Sequence, residues 1–136
     1  MKMNEDKLKM TPQRAAILEF LKDNKDHPSA EDIFLAIREK YPMISFTTIY
    51  NTLQTLKKTG RVWELNIDDS RKRYDPNTNL HHHLICTKCR EIVDVFEDFD
   101  VSFPSDAAKG FEISGFHIEY YGLCEKCREE AVNENT

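Results

Sequence analysis

All four cysteines of this 136-residue chain lie in two Cys-x-x-Cys pairs, Cys86/Cys89 and Cys124/Cys127, which are separated by 34 residues. Four thiolates at this spacing can surround one zinc ion in a tetrahedron, as in closed structural sites. Two disulfides are the alternative, but cysteines three positions apart are strained when bridged directly, and the sequence indicates no secretory context. The cysteine pattern therefore predicts a structural Zn²⁺ site.

Three consecutive histidines precede the first cysteine pair in the segment HHHLICTKC. Because side chains alternate along a strand, His81 and His83 are expected on one face and His82 on the other. Two imidazoles placed in this way form a clamp for Fe²⁺, Mn²⁺ or Zn²⁺, which needs carboxylates to complete its ligands. Asp75 and Asp94 are the predicted carboxylates. The alternative is a solvated run of surface histidines.

Charge divides the chain into two parts. Residues 1–76 carry 14 Lys and Arg against 12 Asp and Glu, whereas residues 77–136 carry 5 against 12. The overall net charge of −5 argues by itself against nucleic acid, but this division predicts a mildly basic reader domain over 1–76 and an acidic sensor or dimerisation domain over 77–136. Domains this small usually need a metal or a partner for stability.

No apolar run in the sequence approaches the roughly 20 residues of a membrane span. The N-terminal segment MKMNEDKLKM lacks the apolar core of a signal peptide. The protein is therefore expected in the cytoplasm, where reduced thiols bind metal, and no membrane partner is expected.

The first domain is predicted to contain three helices and a β-hairpin. Thr11 and Ser29 are predicted N-caps of the first two helices, and Ser45 begins a third, which Gly60 ends. The alternating segments RVWELNI and RKRYD are typical of hairpin strands. This order predicts a winged helix-turn-helix.

The last helix of such a fold enters the major groove, where its N-terminal residues contact bases and nearby cations contact phosphates. The predicted DNA-binding residues of this helix are Thr47, Thr48, Tyr50, Asn51 and Lys57, with Arg14 as a further cation. The alternative is a three-helix bundle whose exposed polar residues never touch DNA.

The second domain is predicted to be a small α/β unit, which makes the whole chain α+β. Strands are expected at HHHLIC, EIVDVF and FHIEYYGLC, with only a brief helix before the last strand. The acidic tail CREEAVNENT is expected to fray. Pairing of exposed sheet edges across a two-fold axis predicts a homodimer.

The segments TPQRAAIL, HPSAEDIF, ISFTTIYNTLQTL, RKRYD, HHHLICTKC, EIVDVF and YYGLCEKC resemble the ferric uptake regulator family of metal-dependent transcriptional repressors. The resemblance implies a homodimer that binds double-stranded operator DNA with an inverted repeat. It implies structural zinc at the four cysteines, and Lys9 as a minor-groove contact in a short N-terminal arm. It also implies one regulatory Fe²⁺ or Mn²⁺ site, whose ligands are His27, Asp75, His81, His83 and Asp94.

The ligand set of three histidines and two aspartates, with aspartate rather than glutamate at position 94, resembles that of the peroxide-responsive branch of the family. The implied mechanism is oxidation of a ligand histidine, His27 or His81, when iron-bound protein meets peroxide. Iron-sensing members often have histidine and aspartate where Leu80 and His82 stand here, and the usual late histidine is shifted by one position to His117.

Three alternatives to a peroxide-responsive repressor stay open at this point. One is an iron- or zinc-responsive repressor with the same five ligands. Another is a zinc hydrolase, but the chain has no His-Glu-x-x-His segment and its ligand set is full, so an enzyme is not expected. The third is a zinc-stabilised interaction module that never binds DNA.

Overall fold

The computed structural model describes residues 9–66, 68 and 70–134. The chain forms two compact units, Met1–Asn79 and Leu80–Thr136. The domain boundary predicted after residue 76 lies three residues from this division, within the same turn-rich segment. The N-terminal unit contains helices and a hairpin, and the C-terminal unit contains a sheet and a helix, so the α+β class is confirmed.

The N-terminal unit begins with three helices, α1 (Pro12–Leu21), α2 (Ala30–Ile37) and α3 (Phe46–Lys58). Each helix starts where a hydroxyl side chain accepts a hydrogen bond from a free backbone N–H of the first turn, namely Thr11, Ser29 and Ser45. At Ser29 the bond is reciprocal, because Asp32 accepts from the Ser29 N–H at 3.0 Å. The predicted caps are therefore all present.

Two short strands, β1 (Trp63–Leu65) and β2 (Arg73–Asp75), follow the helices and pair antiparallel as the wing. The helices bury their apolar faces against each other and against this hairpin. The buried core is formed by Ile17, Leu21, Ala30, Ile33, Ile37, Ile44, Ile49, Leu53, Leu56, Val62 and Tyr74.

The C-terminal unit contains a three-stranded sheet in the order β4-β3-β5. Its strands are β3 (His82–Cys86), β4 (Ile92–Val95) and β5 (Glu119–Gly122), and only a short 3-10 helix, Ser105–Ala107, precedes β5. β3 pairs antiparallel with β4 and parallel with β5. The predicted strands and the brief helix are therefore present.

The acidic tail was expected to fray, and this prediction is wrong over the described residues. Helix α4 runs over Glu125–Glu134. Its first turn is closed by a hydrogen bond from the Arg128 N–H to the Cys124 carbonyl at 2.9 Å. Cys127, which lies within the helix, is buried, so the second cysteine pair anchors the start of α4. No helix within the described ranges is long and apolar enough to cross a membrane.

Candidate metal centres and DNA-binding surface

The four cysteines converge in the C-terminal unit. Cys86 ends β3, Cys89 lies in the turn before β4, and Cys124 and Cys127 lie at the start of α4. All four sulfur atoms lie within 4.8 Å of one another, and Cys89 Sγ is 3.8 Å from Cys124 Sγ. Sulfurs bonded to zinc at about 2.3 Å in a tetrahedron are separated by about 3.8 Å, whereas a disulfide needs about 2.05 Å. None of the four cysteines forms a disulfide, and the geometry fits a zinc ion held by four thiolates.

Backbone groups prepare one of these thiols for metal binding. The N–H groups of Cys124 and Cys89 donate to Cys86 Sγ at 3.4 and 3.5 Å, and these bonds lower the pKa of Cys86 to about 6. Burial instead raises the pKa of Cys127 to about 12. A thiolate at Cys127 is therefore favourable only beside a cation, so zinc binding there must release a proton.

A second set of ligand atoms lies at the other end of β3. Asp94 Oδ1 is 3.0 Å from His81 Nε2 and 3.3 Å from His83 Nε2. This grouping follows from strand pairing, because His83 lies directly opposite Asp94 in the register of β3 and β4. Each of these nitrogen–oxygen separations is close to the distance of about 3 Å between adjacent ligands of an octahedral ion with bonds of about 2.1 Å. Such N and O ligands suit Fe²⁺ or Mn²⁺.

The other two histidines of this unit occupy supporting positions. His82 Nδ1 accepts a hydrogen bond from the Ile118 N–H at 2.9 Å, and its ring stacks on Phe116. His117 Nε2 lies 3.0 Å from His83 Nδ1. Metal-bound histidines are commonly oriented through their second ring nitrogen. The sequence did not indicate that His117 could orient His83; this contact is seen only in the structure.

A third set of ligand atoms lies in the N-terminal unit. His27 Nε2 is 3.4 Å from Asp75 Oδ2, and both side chains are almost fully buried. His27 lies in the turn between α1 and α2, and Asp75 ends β2. β2 reaches this turn through the Tyr74 N–H, which donates to the Pro28 carbonyl at 2.9 Å. The structure thus places His27 beside Asp75. Asp75 was predicted as a ligand from the sequence pattern, whereas His27 was predicted only from the resemblance to the family.

The predicted DNA-binding residues of α3 differ in how far their side chains are exposed to solvent. Thr47, Tyr50 and Asn51 are exposed. Thr48 is half-buried, and its hydroxyl lies 3.0 Å from Ser45 Oγ, within the cap of the helix. Three of the four predicted base-contacting residues are therefore presented to solvent, and the fourth contributes to the helix N-terminus.

The predicted cations are placed around this helix and at the start of α1. Lys9 is exposed, and Arg14 Nη1 donates to the Lys9 carbonyl at 2.8 Å. Lys57 Nζ lies 2.9 Å from Glu64 Oε1, and Lys72 Nζ lies 3.5 Å from the same oxygen. The Glu64 side chain is only 4% exposed. Burial opposes ionisation of this carboxyl, but the hydrogen bond and charge of Lys57 outweigh it and lower its pKa.

Fold and ligand chemistry together define a class. A winged-helix unit is followed by a unit with a four-cysteine cluster, and both units carry histidine and aspartate ligands, as expected for a metal-dependent transcription regulator. The sequence profile of the ferric uptake regulator family matches residues 5–121, and the chain belongs to this family.

Relatives with known roles include the peroxide-responsive repressor PerR of Staphylococcus epidermidis, which is 41% identical over 125 residues, or 90% of this chain and 83% of that protein. The solved peroxide stress regulator of Campylobacter jejuni superposes with a TM-score of 0.65 at 31% identity, covering 85% of this chain and 89% of that one. The ferric uptake regulator of Francisella tularensis, solved with iron, gives a TM-score of 0.69 at 26% identity, covering 89% and 95%.

These similarities confirm the resemblance to the family and to its peroxide-responsive branch. The relatives are named as repressors and regulators rather than as enzymes, and solved members of the family include one with iron and one with zinc. The hydrolase and the pure interaction module are therefore not supported as alternatives.

Proposed function

We propose that this protein is a metal-dependent repressor that responds to peroxide, acting in the cytoplasm as a homodimer on operator DNA with an inverted repeat. The observation that carries this proposal is the pairing of buried imidazoles with aspartates in both units. His27 meets Asp75 in one unit, and His81 and His83 meet Asp94 in the other. The similarity to peroxide-responsive repressors supports it independently.

The proposed regulatory site combines these two ligand sets around one Fe²⁺ or Mn²⁺. Each set by itself is incomplete for a divalent ion of this kind, which usually takes more than three ligands. Ligands from both units that hold one ion restrict rotation between the units. That restriction selects the arrangement in which two recognition helices of a dimer match two operator half-sites.

The proposed peroxide response needs ligands that can themselves be modified. When bound, Fe²⁺ would promote cleavage of the O–O bond of hydrogen peroxide beside these ligands. In the balanced reaction an imidazole carbon supplies the two electrons and gains one oxygen atom of the peroxide, and the other oxygen leaves as water. His27 and His81 are the ligands proposed to take up one oxygen atom. An oxidised imidazole is a poorer ligand, so the ion is expected to dissociate. The two units can then rotate relative to each other again, and the protein releases the operator.

On the DNA side, we propose that Thr47, Tyr50 and Asn51 contact bases and that Thr48 holds the start of α3. The cations Lys9, Arg14 and Lys57 are proposed to contact the backbone of the DNA, with Lys9 in the minor groove. The exposure of the three α3 side chains supports their assignment.

The test is peptide mass analysis after Fe²⁺ loading and one equivalent of hydrogen peroxide. The expected result is a gain of one oxygen on the peptide containing His27 or His81, with loss of operator binding, and no gain in the Mn²⁺-loaded control. If both peptides stay unmodified while operator binding still needs metal, the protein senses metal supply instead. Equal operator affinity in EDTA and in Mn²⁺ would contradict metal-dependent repression altogether.

A further inference from the structure

Arg73 occupies a buried position in β2 that neither zinc binding nor the α3 surface explains. Only 6% of the residue is exposed. Its Nε donates to the His27 carbonyl, its Nη2 donates to the Asp26 carbonyl at 3.2 Å, and its Nη1 donates to Asp68 Oδ2 at 3.0 Å. A planar guanidinium with these acceptors holds them at fixed positions relative to each other.

Two of these acceptors belong to the turn that carries a regulatory ligand. His27 has a φ of +52°, a left-handed conformation that is unfavourable for a residue with a side chain and persists only where its surroundings hold it. Arg73 binds the carbonyls of Asp26 and His27, and the next residue, Tyr74, donates to the Pro28 carbonyl. The direction of the His27 side chain therefore depends on contacts with β2.

The third acceptor belongs to the wing. Asp68 lies between β1 and β2 and is 6% exposed. Its other carboxylate oxygen accepts from the Ser70 N–H at 3.0 Å and from the Ser70 hydroxyl at 2.7 Å. One buried arginine thus joins the ligand turn to the loop that forms the tip of the wing.

We propose that Arg73 is a positioning residue that couples metal binding at His27 to the order of the wing. The inference rests on the proposed regulatory site. Holding His27 against a metal fixes the two carbonyls that Arg73 binds, and the same guanidinium then fixes Asp68 and the wing loop. Because coupling between sites is reciprocal, a wing held in place also favours the ligand position of His27.

The experiment uses the full-length, zinc-loaded protein with Mn²⁺ as the added metal. Mn²⁺ affinity is measured by calorimetry, and hydrogen exchange is measured on the wing peptide containing Asp68 and Ser70. Arg73→Lys keeps the charge but cannot reproduce the three bonds. Arg71→Lys is the matched control, because Arg71 lies in the same loop and meets Asp68 and Asp32 at 3.7 Å through a side chain that is 42% exposed.

In wild type and in Arg71→Lys, Mn²⁺ is expected to slow exchange of the wing peptide. In Arg73→Lys, Mn²⁺ affinity is expected to fall roughly 10-fold or more, as for other residues that orient ligands, and the wing is expected to lose its response to Mn²⁺. A purely structural role would lower thermal stability without changing Mn²⁺ affinity or that response. Such a result would overturn the coupling.

Asp68→Asn separates the two ends of the coupling and also decides the matter if Arg73→Lys fails to fold. It leaves the bonds from Arg73 to the ligand turn in place, so Mn²⁺ is expected to bind, but the response of the wing to Mn²⁺ is expected to be lost. If Mn²⁺ slowed exchange of the wing peptide in Asp68→Asn as much as in wild type, the coupling would be overturned, but the proposed function would not. If the operator affinity of the wild-type protein did not depend on Mn²⁺, the proposed function itself would be rejected.

Discussion

The two units of this protein bury very different side chains. The N-terminal unit has a continuous, mainly aliphatic core from three helices and the wing, and beside it this unit buries His27, Asp68, Arg73 and Asp75. Among the described residues of the C-terminal unit, the buried positions are Ile85, Ile92, Cys86, Cys127 and the histidines at 81–83. The N-terminal unit is therefore held mainly by apolar burial, whereas most of the buried positions in the C-terminal unit are cysteines and histidines that could bind metal.

This contrast shows where each unit obtains its stability. Burying a large aliphatic side chain contributes about 1.5–3 kcal/mol, and the N-terminal unit buries many. The C-terminal unit leaves several large apolar side chains exposed, among them Phe103, Phe111, Ile113 and Tyr121. For a small unit of this kind, we expect zinc and contact with a second copy to supply the stability that apolar packing does not.

The largest expected effect comes from removing a zinc ligand. Cys89→Ser is expected to lose zinc and unfold the C-terminal unit, because structural zinc binding contributes on the order of 10 kcal/mol to folding in small zinc domains. The N-terminal unit is expected to stay folded. The chain has a single tryptophan, Trp63, which lies in β1, so its fluorescence reports on that unit separately from zinc content.

Lys88→Ser, in the same turn, is the control and is expected to keep its zinc. A stable, zinc-loaded Cys89→Ser dimer would contradict the dependence of the C-terminal unit on its metal.

A smaller effect is expected from a cavity in the other unit. Leu53 is fully buried in α3, and Leu53→Ala is expected to lower the free energy of unfolding of the N-terminal unit by about 2–5 kcal/mol. Zinc content should be unchanged. Urea unfolding followed by Trp63 fluorescence measures this loss, and Leu35→Ala, at a 53% exposed position of α2, is the control. A similar loss in both variants would mean that the core does not stabilise this unit.

The contrast also explains which features could be predicted from the sequence. The caps at Thr11, Ser29 and Ser45 are local signals, and the cysteine spacing specifies its own cluster. The pairing of His81 and His83 with Asp94 was predicted because strands alternate and adjacent strands pair.

Other features depend on residues far apart in the chain and carried no local signal. Arg73 and His27 are 46 positions apart, and His83 and His117 are 34 apart. For His27, only the resemblance to the family indicated a metal ligand. Helix α4 was missed because an acidic tail predicts fraying, whereas the start of this helix is anchored by the cysteine cluster.

The smallest expected effect on stability comes from a proposed ligand of the regulatory metal, Asp94. Asp94→Ala is expected to keep zinc and fold, but to weaken Mn²⁺ binding at least roughly 10-fold and to abolish metal-activated operator binding. The reason is that Asp94 contacts both His81 and His83. Asp98→Ala, at an exposed acidic position nearby, is the control. Unchanged operator affinity in Asp94→Ala, measured in Mn²⁺, would remove Asp94 from the regulatory site.

Glu64 forms ion pairs with Lys57 of α3 and Lys72 of the wing. These ion pairs affect how strongly the two lysines can bind the phosphates of DNA. Binding to DNA gains free energy when protein cations displace the counterions condensed on the phosphates. Lys57 and Lys72 already neutralise Glu64 within the folded unit, so a phosphate must compete with that carboxylate for them. Affinity for the proposed operator is therefore expected to depend less on ionic strength than the number of lysines and arginines around α3 suggests. A larger share of that affinity is then expected from the base contacts proposed for α3.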